Sequence, residues 1–475
     1  MIHRMVFAAL PLAAPAPAWA HAFGEPVQLP MPYGLYIVGS VVALILSFLL
    51  LAIGGRFFVK FKANAVLPVP AIPSRWLEVF RSFLSLSLLA ALWFSVVTGL
   101  IGSNDSHRNF NMTFFWIVFA LGGAYASMFV GDWYKHAHPW RYLLPARWKG
   151  WFKYPQWLGH WPALFQFMGL VSIELFIHSN PKKLALLLIG LAVVNVLGMA
   201  LWGTRRWIQR GEMFAVLFRL FAACSPLRWV SNRGDGKHRL RIGLPFAELQ
   251  RLRVWHPAQC LFVLFLLSST AYDGLRETQV YFNVFWLDPF GWLEALFGDH
   301  PLKIYLTVRP WFIALEVVLL MLSPLFYLAL FAVFLMLGKW VSGSQQSLGM
   351  MMRRYLPSLI PIAVVYHVTH YYTLLFNQGL KIRGLASDPF GWGWNLFGTA
   401  ITGRLPWLPD MANIWASQVG LILLGHVAAV WLAHREALHL ERSAGRAAAS
   451  QLPMLLLMVV FTSVGLWILA QPLKG

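Results

Sequence analysis

The sequence has little charge and few cysteines for its length. Only 12% of its 475 residues are charged, about half of the ~25% that is usual in soluble domains. The two cysteines, Cys224 and Cys260, fall on or near the side that is predicted below to be cytoplasmic. A structural disulfide is not expected there, and two cysteines alone make no metal-binding motif. With 59% hydrophobic residues, the composition is that of a membrane protein.

Acidic residues are also scarce, with 18 Asp and Glu against 38 Lys and Arg, which gives a formal net charge of +20. Such an excess can indicate nucleic-acid binding. Here the basic residues lie in short loops between apolar runs, where they orient membrane helices. We therefore expect no nucleic-acid partner. The lipid bilayer is the expected environment, and the 24 Trp residues fit the headgroup belts of such proteins.

The common catalytic signatures are missing as well. The sequence contains no P-loop, Gly-x-Ser-x-Gly, His-Glu-x-x-His or Cys-x-x-Cys-His motif, which argues against the enzyme classes that use them. A functional site has to be sought among ionisable residues inside the apolar segments. Inserting one charged residue at the centre of a membrane helix costs about 2.5–3.5 kcal/mol of free energy, so such residues are rare and usually functional.

Residues 1–20 are predicted to be a cleaved secretory signal peptide. A basic start precedes an apolar stretch that is too short to span a bilayer, and Ala18 and Ala20 are the small residues that a signal peptidase reads. Cleavage makes His21 the mature N-terminus, outside the cytoplasm. Its imidazole and α-amine could together chelate a metal, or His21 could merely be the residue that follows the cut.

Residues 21–475 are predicted to form a single all-α, polytopic membrane domain. About ten apolar runs are long enough to be transmembrane helices. They are 34–54, 80–101, 112–131, 160–178, 184–203, 257–273, 311–337, 355–377, 413–434 and 452–471. Every loop that follows an odd-numbered run is rich in Lys and Arg. By the positive-inside rule these loops are cytoplasmic, which places both mature termini in the periplasm and the chain in a bacterial inner membrane.

Two further segments have recognisable patterns. DPFGWLEALFG at 288–298 recurs as DPFGWGWNLFG at 388–398, both in outer loops. Asp-Pro followed by Gly predicts a turn, and the apolar remainder predicts a short helix on the outer interface. The copies reflect either an ancient duplication or two similar turns. The amphipathic segment 205–226 is predicted to lie along the inner interface or to be a packed cytoplasmic helix.

The eighth run carries the strongest candidate site. His367 and His370 are three residues apart and share a helix face. His426 in the ninth run and Asp273 at the outer end of the sixth could join them in the outer half of the membrane. Imidazole and carboxylate suit a divalent transition metal such as Zn, Cu or Mn. We expect the three histidines to be metal ligands. Asp273 is expected to be a further ligand or the catalytic base, and His370 is the other candidate for the base. The alternative is that they only brace helices.

Other ionisable groups are weaker candidates. Glu174, His178 and His107 lie toward the outer side and could join the same group. Glu174 and Glu316 could instead pair with arginines and fix helix packing. His138 is predicted to lie in an aromatic, basic interfacial turn with a structural role.

Eight segments together resemble a known family. They are HAFGEPVQLPMP, GAYASMFVGDW, RGEMFAVLFRLFA, STAYDG, VTHYYTLLFNQG, SDPFGWGWNLFG, GHVAAVWLAH and PMLLLMVVFTSVGLW. The set extends from His21 to about Trp467 and is similar to the polytopic bacterial membrane proteins called fenitrothion hydrolases. One departure is His138, which stands before Pro139 where the resemblance leads us to expect Asn.

The resemblance implies hydrolysis of a small apolar organophosphorus triester to a nitrophenol and a dialkyl (thio)phosphate. It also implies a second integral membrane subunit of similar type, but it carries over no catalytic residues. In a metal-assisted reaction the metal would activate a water, and Asp273 or a histidine would accept the proton. The alternative is a non-hydrolytic envelope metal protein, a copper-binding, redox or transport component, with His21 in its site.

Overall fold

The computed structural model describes most of the chain as a helical bundle. The described residues are 33–59, 64–66, 72–145, 148–177, 180–232, 237–252, 254, 256–400 and 410–470. Within them, nine helices are long and apolar enough to cross a membrane. The prediction of a helical membrane protein is confirmed to that extent. The predicted signal peptide and His21 lie outside the described residues, and the orientation of the termini stays a prediction.

Seventeen α-helices are present in the described residues. In chain order they are α1 (Tyr33–Val59), α2 (Ser74–Ile101), α3 (Phe110–Met112), α4 (Gly122–Val130), α5 (Trp161–Phe176), α6 (Pro181–Trp202), α7 (Thr204–Arg210), α8 (Met213–Ala222), α9 (Pro257–Arg276), α10 (Gln279–Trp286), α11 (Trp292–Phe297), α12 (Tyr305–Ser342), α13 (Leu348–Tyr355), α14 (Ile360–Asn377), α15 (Ile382–Ser387), α16 (Met411–Leu440) and α17 (Ala444–Ala470). A π-helical segment, Thr113–Leu121, joins α3 to α4. Short 3-10 turns occupy Pro139–Tyr142, Gln156–Leu158, Ala247–Arg251, Leu356–Leu359 and Gly379–Lys381.

Nine of the ten predicted spans coincide with long helices, and the run at 160–178 is the exception. It corresponds to α5, which has 16 residues. At about 1.5 Å per residue this helix is roughly 24 Å long, which is shorter than the ~30 Å hydrocarbon core. The backbone becomes extended at Ile177. Nine of the ten predicted spans are therefore matched by helices of sufficient length in the described segments, and the total of ten stays a prediction.

A small antiparallel sheet corrects the all-α prediction. Its strands are β1 (Asn64–Val66), β2 (Ile72–Pro73), β3 (Leu227–Asn232) and β4 (Lys237–Gly243). β4 pairs with each of the other three. The sequence resembles a basic loop there because β3 and β4 contain Arg228, Lys237, Arg239 and Arg241. Since β1 and β4 come from two different loops predicted to be cytoplasmic, the sheet brings both loops to the same side of the bundle.

The bundle has an interior helix and peripheral ones. α9 packs against α5, α12, α14 and α17. In the part of α9 that is long enough to cross a membrane, 72% of the residues are buried inside the protein. The corresponding share for α12 is 17%, so most of α12 faces the surroundings of the bundle. Ionisable side chains on α9 are consequently held in the protein interior, as the cost of exposing them to lipid requires.

The long helix α12 has 38 residues and two internal prolines, Pro310 and Pro324. A proline lacks the N–H that would bond the carbonyl four residues earlier. For Pro324 that carbonyl belongs to Leu320, and the Ser323 hydroxyl donates to it at 2.8 Å. Ser323 Oγ also lies 2.7 Å from Ser268 Oγ on α9. One side chain thereby satisfies the interrupted backbone and joins two helices.

The amphipathic segment 205–226 forms α7, α8 and a turn that follows them. Seven of the ten residues of α8 are buried, and Phe218 and Phe221 are completely enclosed. Glu212, also fully buried, accepts hydrogen bonds from two backbone N–H groups at the start of α8. The segment is therefore a packed helix rather than one that lies on the inner membrane surface.

The two DPFGW copies share a turn and then diverge. Asp288 and Asp388 each accept hydrogen bonds from two backbone N–H groups four to six residues later, which confirms the predicted turn. Only the first copy continues into a helix, α11. The backbone of the second copy bonds the loop before α3, with Phe390 O accepting from Ser103 N at 2.7 Å.

Candidate functional site

A buried carboxylate between α9 and α14 is the centre of the candidate site. Asp273, three residues before the end of α9, is completely buried. His370 Nε2 lies 3.0 Å from Asp273 Oδ2, and the Tyr371 hydroxyl donates to the same oxygen at 2.7 Å. A buried carboxylate is tolerated when donors surround it. The structure brings together the two residues that were predicted to be catalytic, Asp273 and His370.

Close packing of α9 on α14 and α17 makes this contact possible. Gly274 follows Asp273, and a Cβ atom there would lie 2.8 Å from Ile468 Cγ2 and 3.6 Å from His370 Cε1. A side chain at this position would therefore force its neighbours to move. The glycine lets α17 approach α9 beside the His370 ring.

A buried ion pair lies about one helical turn from Asp273. The Arg276 Nε donates to Glu316 Oε1 at 3.2 Å, and its Nη1 donates to Leu175 O at 3.1 Å. Glu316 is 2% exposed. These contacts tie α9 to α12 and α5. The interpretation that Glu316 pairs with an arginine is confirmed, and the pair has a packing role.

His367 shares a helix face with His370, and its ring lies among aromatic side chains. Its ring packs edge-on against Tyr125 and Phe221, at centroid distances of 6.0 and 5.5 Å, and lies 4.9 Å from the Tyr371 ring. Its Nδ1 is buried and has no hydrogen-bond partner in the described structure. His367 therefore packs among aromatic rings beside Tyr371, and its predicted role as a metal ligand stays a prediction.

His426 belongs to a different environment from Asp273. Its Nδ1 lies 2.8 Å from the Ile422 carbonyl of its own helix, and its ring lines the cavity described next. Gly425 allows α16 to approach α14 closely, as predicted, because a Cβ there would lie 3.0 Å from Val365. No group of three or more His, Cys, Asp or Glu side chains that could hold a metal occurs in the described residues. His21 and His178 lie outside them.

A cavity of about 480 Å³ lies between α9, α12, α14, α16 and α17, a size typical of small-molecule sites. Its lining is mostly apolar. The polar residues of the lining include Ser268, Tyr272, Tyr281, Ser323, Tyr366 and His426. Phe326 and Val464 at its rim are 62% and 46% exposed, so the cavity opens on a lateral face that lipid would cover. Ile468 lines it too and adjoins Gly274, one residue from Asp273.

A second polar cluster, on the side of the sheet, was not recognised in the sequence. His138 is 1% exposed, and its Nε2 lies 3.5 Å from Glu212 Oε2. The Tyr134 ring lies 4.7 Å from the His138 ring. Burial, with a smaller contribution from Glu212, raises the pKa of the Tyr134 hydroxyl well above its usual value. His138 and Tyr134 are thus enclosed, while Lys135 and Tyr142 of the same segment are exposed, and the interfacial position of the segment stays a prediction.

The positions of Tyr371 and Tyr366 beside His370 on one helix can be read from the sequence, although their roles cannot. Tyr371 stands next to His370, and Tyr366 stands one helical turn before it on α14, so a continuous polar face was visible. Nothing in the sequence indicated which helix would cover that face. Searches against family models, curated proteins and solved structures found no match for this chain.

Proposed function

We propose that the chain is a multi-pass membrane hydrolase of small apolar organophosphorus triesters, in which Asp273 and His370 form a general-base dyad. The observation that carries the proposal is the 3.0 Å contact between His370 Nε2 and the buried Asp273 carboxylate. A carboxylate that orients an imidazole and stabilises its protonated form is a recurrent device for general-base catalysis. The resemblance to fenitrothion hydrolases supplies the substrate class.

The dyad assigns a role to each nitrogen of His370. An ionised Asp273 accepts a hydrogen bond from His370 Nε2–H, so the neutral ring carries its lone pair on Nδ1. Nδ1 removes a proton from a water while the water oxygen attacks phosphorus. The bond from phosphorus to the aryl oxygen then breaks, and the nitrophenolate leaves without needing a strong general acid. Products are a dialkyl (thio)phosphate and a nitrophenol, and His370 finally releases its proton to solvent.

The lateral cavity gives such a substrate a route from the membrane. Its rim on α12 and α17 carries exposed apolar side chains, and an apolar triester partitions into lipid. Ile468 lines the cavity and lies against Gly274, the residue after Asp273, so the proposed route runs past Ile468 to the dyad, whose own side chains do not line the cavity among the described residues. In the predicted topology, Asp273 lies in the periplasmic half of a bacterial inner membrane.

The described residues are poorly arranged to bind a catalytic metal ion. His367 and His426 do not join Asp273 and His370 in one group of ligands, so we derive no step through Zn, Cu or Mn. The copper-site alternative depends on His21 and stays a prediction. The proposal also includes a second integral membrane subunit, and its basis is the resemblance to fenitrothion hydrolases alone.

The test is release of 4-nitrophenolate from a 4-nitrophenyl dialkyl thiophosphate, measured by absorbance with membranes that contain the full chain. We expect activity above that of matched membranes without the chain. Asp273→Asn and His370→Ala should each lower it by at least about 100-fold, since general-base catalysis contributes roughly 10²–10⁴-fold. His439→Ala, an exposed histidine on α16, is the control. Undiminished activity in both dyad variants would refute the assignment.

A further inference from the structure

Two of the polar side chains that line the cavity each have one buried atom to which the proposed hydrolysis gives no role. These atoms are His426 Nε2 and Tyr366 Oη, which are buried and have no hydrogen-bond partner in the part of the chain that the structure describes. His426 is 4% exposed and Tyr366 is 8% exposed, and both residues line the cavity. Buried polar groups in native proteins nearly always have a partner. A ligand in the cavity is a suitable source of one.

The hydrogen bonding of His426 determines what kind of partner its Nε2 requires. Nδ1 lies 2.8 Å from the Ile422 carbonyl, and a carbonyl oxygen can only accept. Nδ1 therefore carries the hydrogen, and the neutral ring presents a lone pair at Nε2. The complementary group on a ligand is an O–H or N–H donor. The Tyr366 hydroxyl can both donate and accept, so it can serve the same ligand group or a second one.

The walls of the cavity determine the chemical character of the rest of the ligand. Aliphatic and aromatic side chains dominate them, and none of the described residues that line the cavity is Asp, Glu, Lys or Arg. A charged ligand would therefore lose its hydration without compensation. The rim opens between Phe326 on α12 and Val464 on α17. An apolar molecule dissolved in the bilayer could enter there.

We propose that this cavity binds a small apolar molecule carrying one hydroxyl group, such as a lipophilic phenol or alcohol. The hydroxyl donates to His426 Nε2, Tyr366 Oη provides a second polar contact, and the apolar body occupies the space toward α12. The binding site does not depend on the proposed hydrolysis, because no bond is made or broken in it.

The experiment compares two probes that differ only in the donor, 4-octylphenol and its methyl ether 4-octylanisole. Binding of radiolabelled probe is measured with the full chain in lipid nanodiscs, and empty nanodiscs give the partition into lipid. We expect saturable binding of the phenol, about tenfold tighter than that of the ether, since one net hydrogen bond is worth about a factor of ten. His426→Leu should weaken phenol binding about tenfold and leave ether binding unchanged.

Matched variants keep the test decisive. His439→Leu replaces an exposed histidine of the same helix and should bind the phenol like the unaltered protein. His426→Gln retains an acceptor and should restore part of the affinity. If His426→Leu does not elute as a folded protein, Tyr366→Phe takes its place and should weaken phenol binding severalfold. Equal affinity for phenol and ether would show apolar binding alone and overturn the proposal. This experiment measures binding and not hydrolysis. A failure of the proposed hydrolase function would therefore be seen in the nitrophenolate assay and not in this one.

Discussion

The Tyr371 hydroxyl donates to Asp273 Oδ2 at 2.7 Å, on the same oxygen that His370 Nε2 contacts at 3.0 Å. Consecutive residues of a helix point about 100° apart, so the carboxylate lies in the angle between the two side chains. This arrangement fixes the position of Asp273 from two directions. A fixed carboxylate in turn holds the imidazole ring in one orientation.

Removing the Tyr371 hydroxyl should therefore reduce catalysis without removing the dyad. We expect Tyr371→Phe to lower kcat about tenfold, equivalent to ~1.4 kcal/mol, with little change in KM. Nitrophenolate release at several substrate concentrations measures both constants. Tyr372→Phe is the control, since Tyr372 bonds Ser417 rather than Asp273. A fall in activity for Tyr372→Phe as large as for Tyr371→Phe would contradict the role of the hydroxyl.

A methyl group at Gly274 should disturb the junction between cavity and dyad. The Cβ of Gly274→Ala would lie 2.8 Å from Ile468 Cγ2, so we expect Ile468 to move into the cavity. The expected result is a severalfold higher KM for the triester, measured by steady-state kinetics. Gly190→Ala on α6 should leave KM unchanged, because no described atom other than the local backbone of its own helix and its chain neighbours lies within 4 Å of the new Cβ. The same KM for both variants would disprove the proposed junction.

Glu212 should be important for stability because it caps α8 from a fully buried position. Glu212→Ala leaves two backbone N–H groups without their acceptor. We expect it to lower the free energy of unfolding by about 2 kcal/mol, measured by thermal or denaturant unfolding in detergent. Glu212→Gln keeps a carbonyl acceptor and should lose less. A Glu212→Ala protein as stable as the original would rule out the capping role.

The buried Tyr134 hydroxyl should make the protein sensitive to alkali. Its pKa is raised in the folded state by burial and by Glu212, whereas an unfolded tyrosine titrates near ~10. Above that pH the unfolded state loses a proton that the folded state retains, so stability falls as the pH rises.

The variant Tyr134→Phe tests this pH dependence. The hydroxyl has no hydrogen-bond partner in the described structure, so we expect its removal to cost little stability at pH 7. The decline in the unfolding temperature above about pH 10 should be less steep than in the unaltered protein. Tyr142→Phe, at a 41% exposed tyrosine, should leave the slope unchanged. Equal slopes for Tyr134→Phe and the unaltered protein would contradict the prediction.

The sequence predicted the membrane helices well because a long apolar run is a local property. Nine predicted spans coincide with helices that are long enough to cross a membrane. The exception, α5, ends at Phe176 because the backbone becomes extended at Ile177, which the apolar run at 160–178 does not indicate. The β4 strand was missed because its alternating Lys and Arg resemble a charged loop, and it becomes a strand only through pairing with other segments.

The candidate site could be predicted only in part. His370 and Asp273 were both visible as ionisable residues in apolar runs, and they do meet. His426 was visible for the same reason but lines the cavity instead, because contact between helices depends on their rotation and crossing. The role of Tyr366 could not be predicted, since an aromatic residue in a membrane helix is unremarkable until its hydroxyl is found buried without a partner.

The length of α12 has a consequence for how the protein responds to its lipid. Thirty-eight residues correspond to roughly 57 Å of straight helix, well above the ~30 Å thickness of the hydrocarbon core. Such a helix tilts, bends or extends beyond the bilayer, and its tilt varies with bilayer thickness. Because α12 forms one wall of the cavity, lipids with longer or shorter acyl chains should change the width of the cavity entrance.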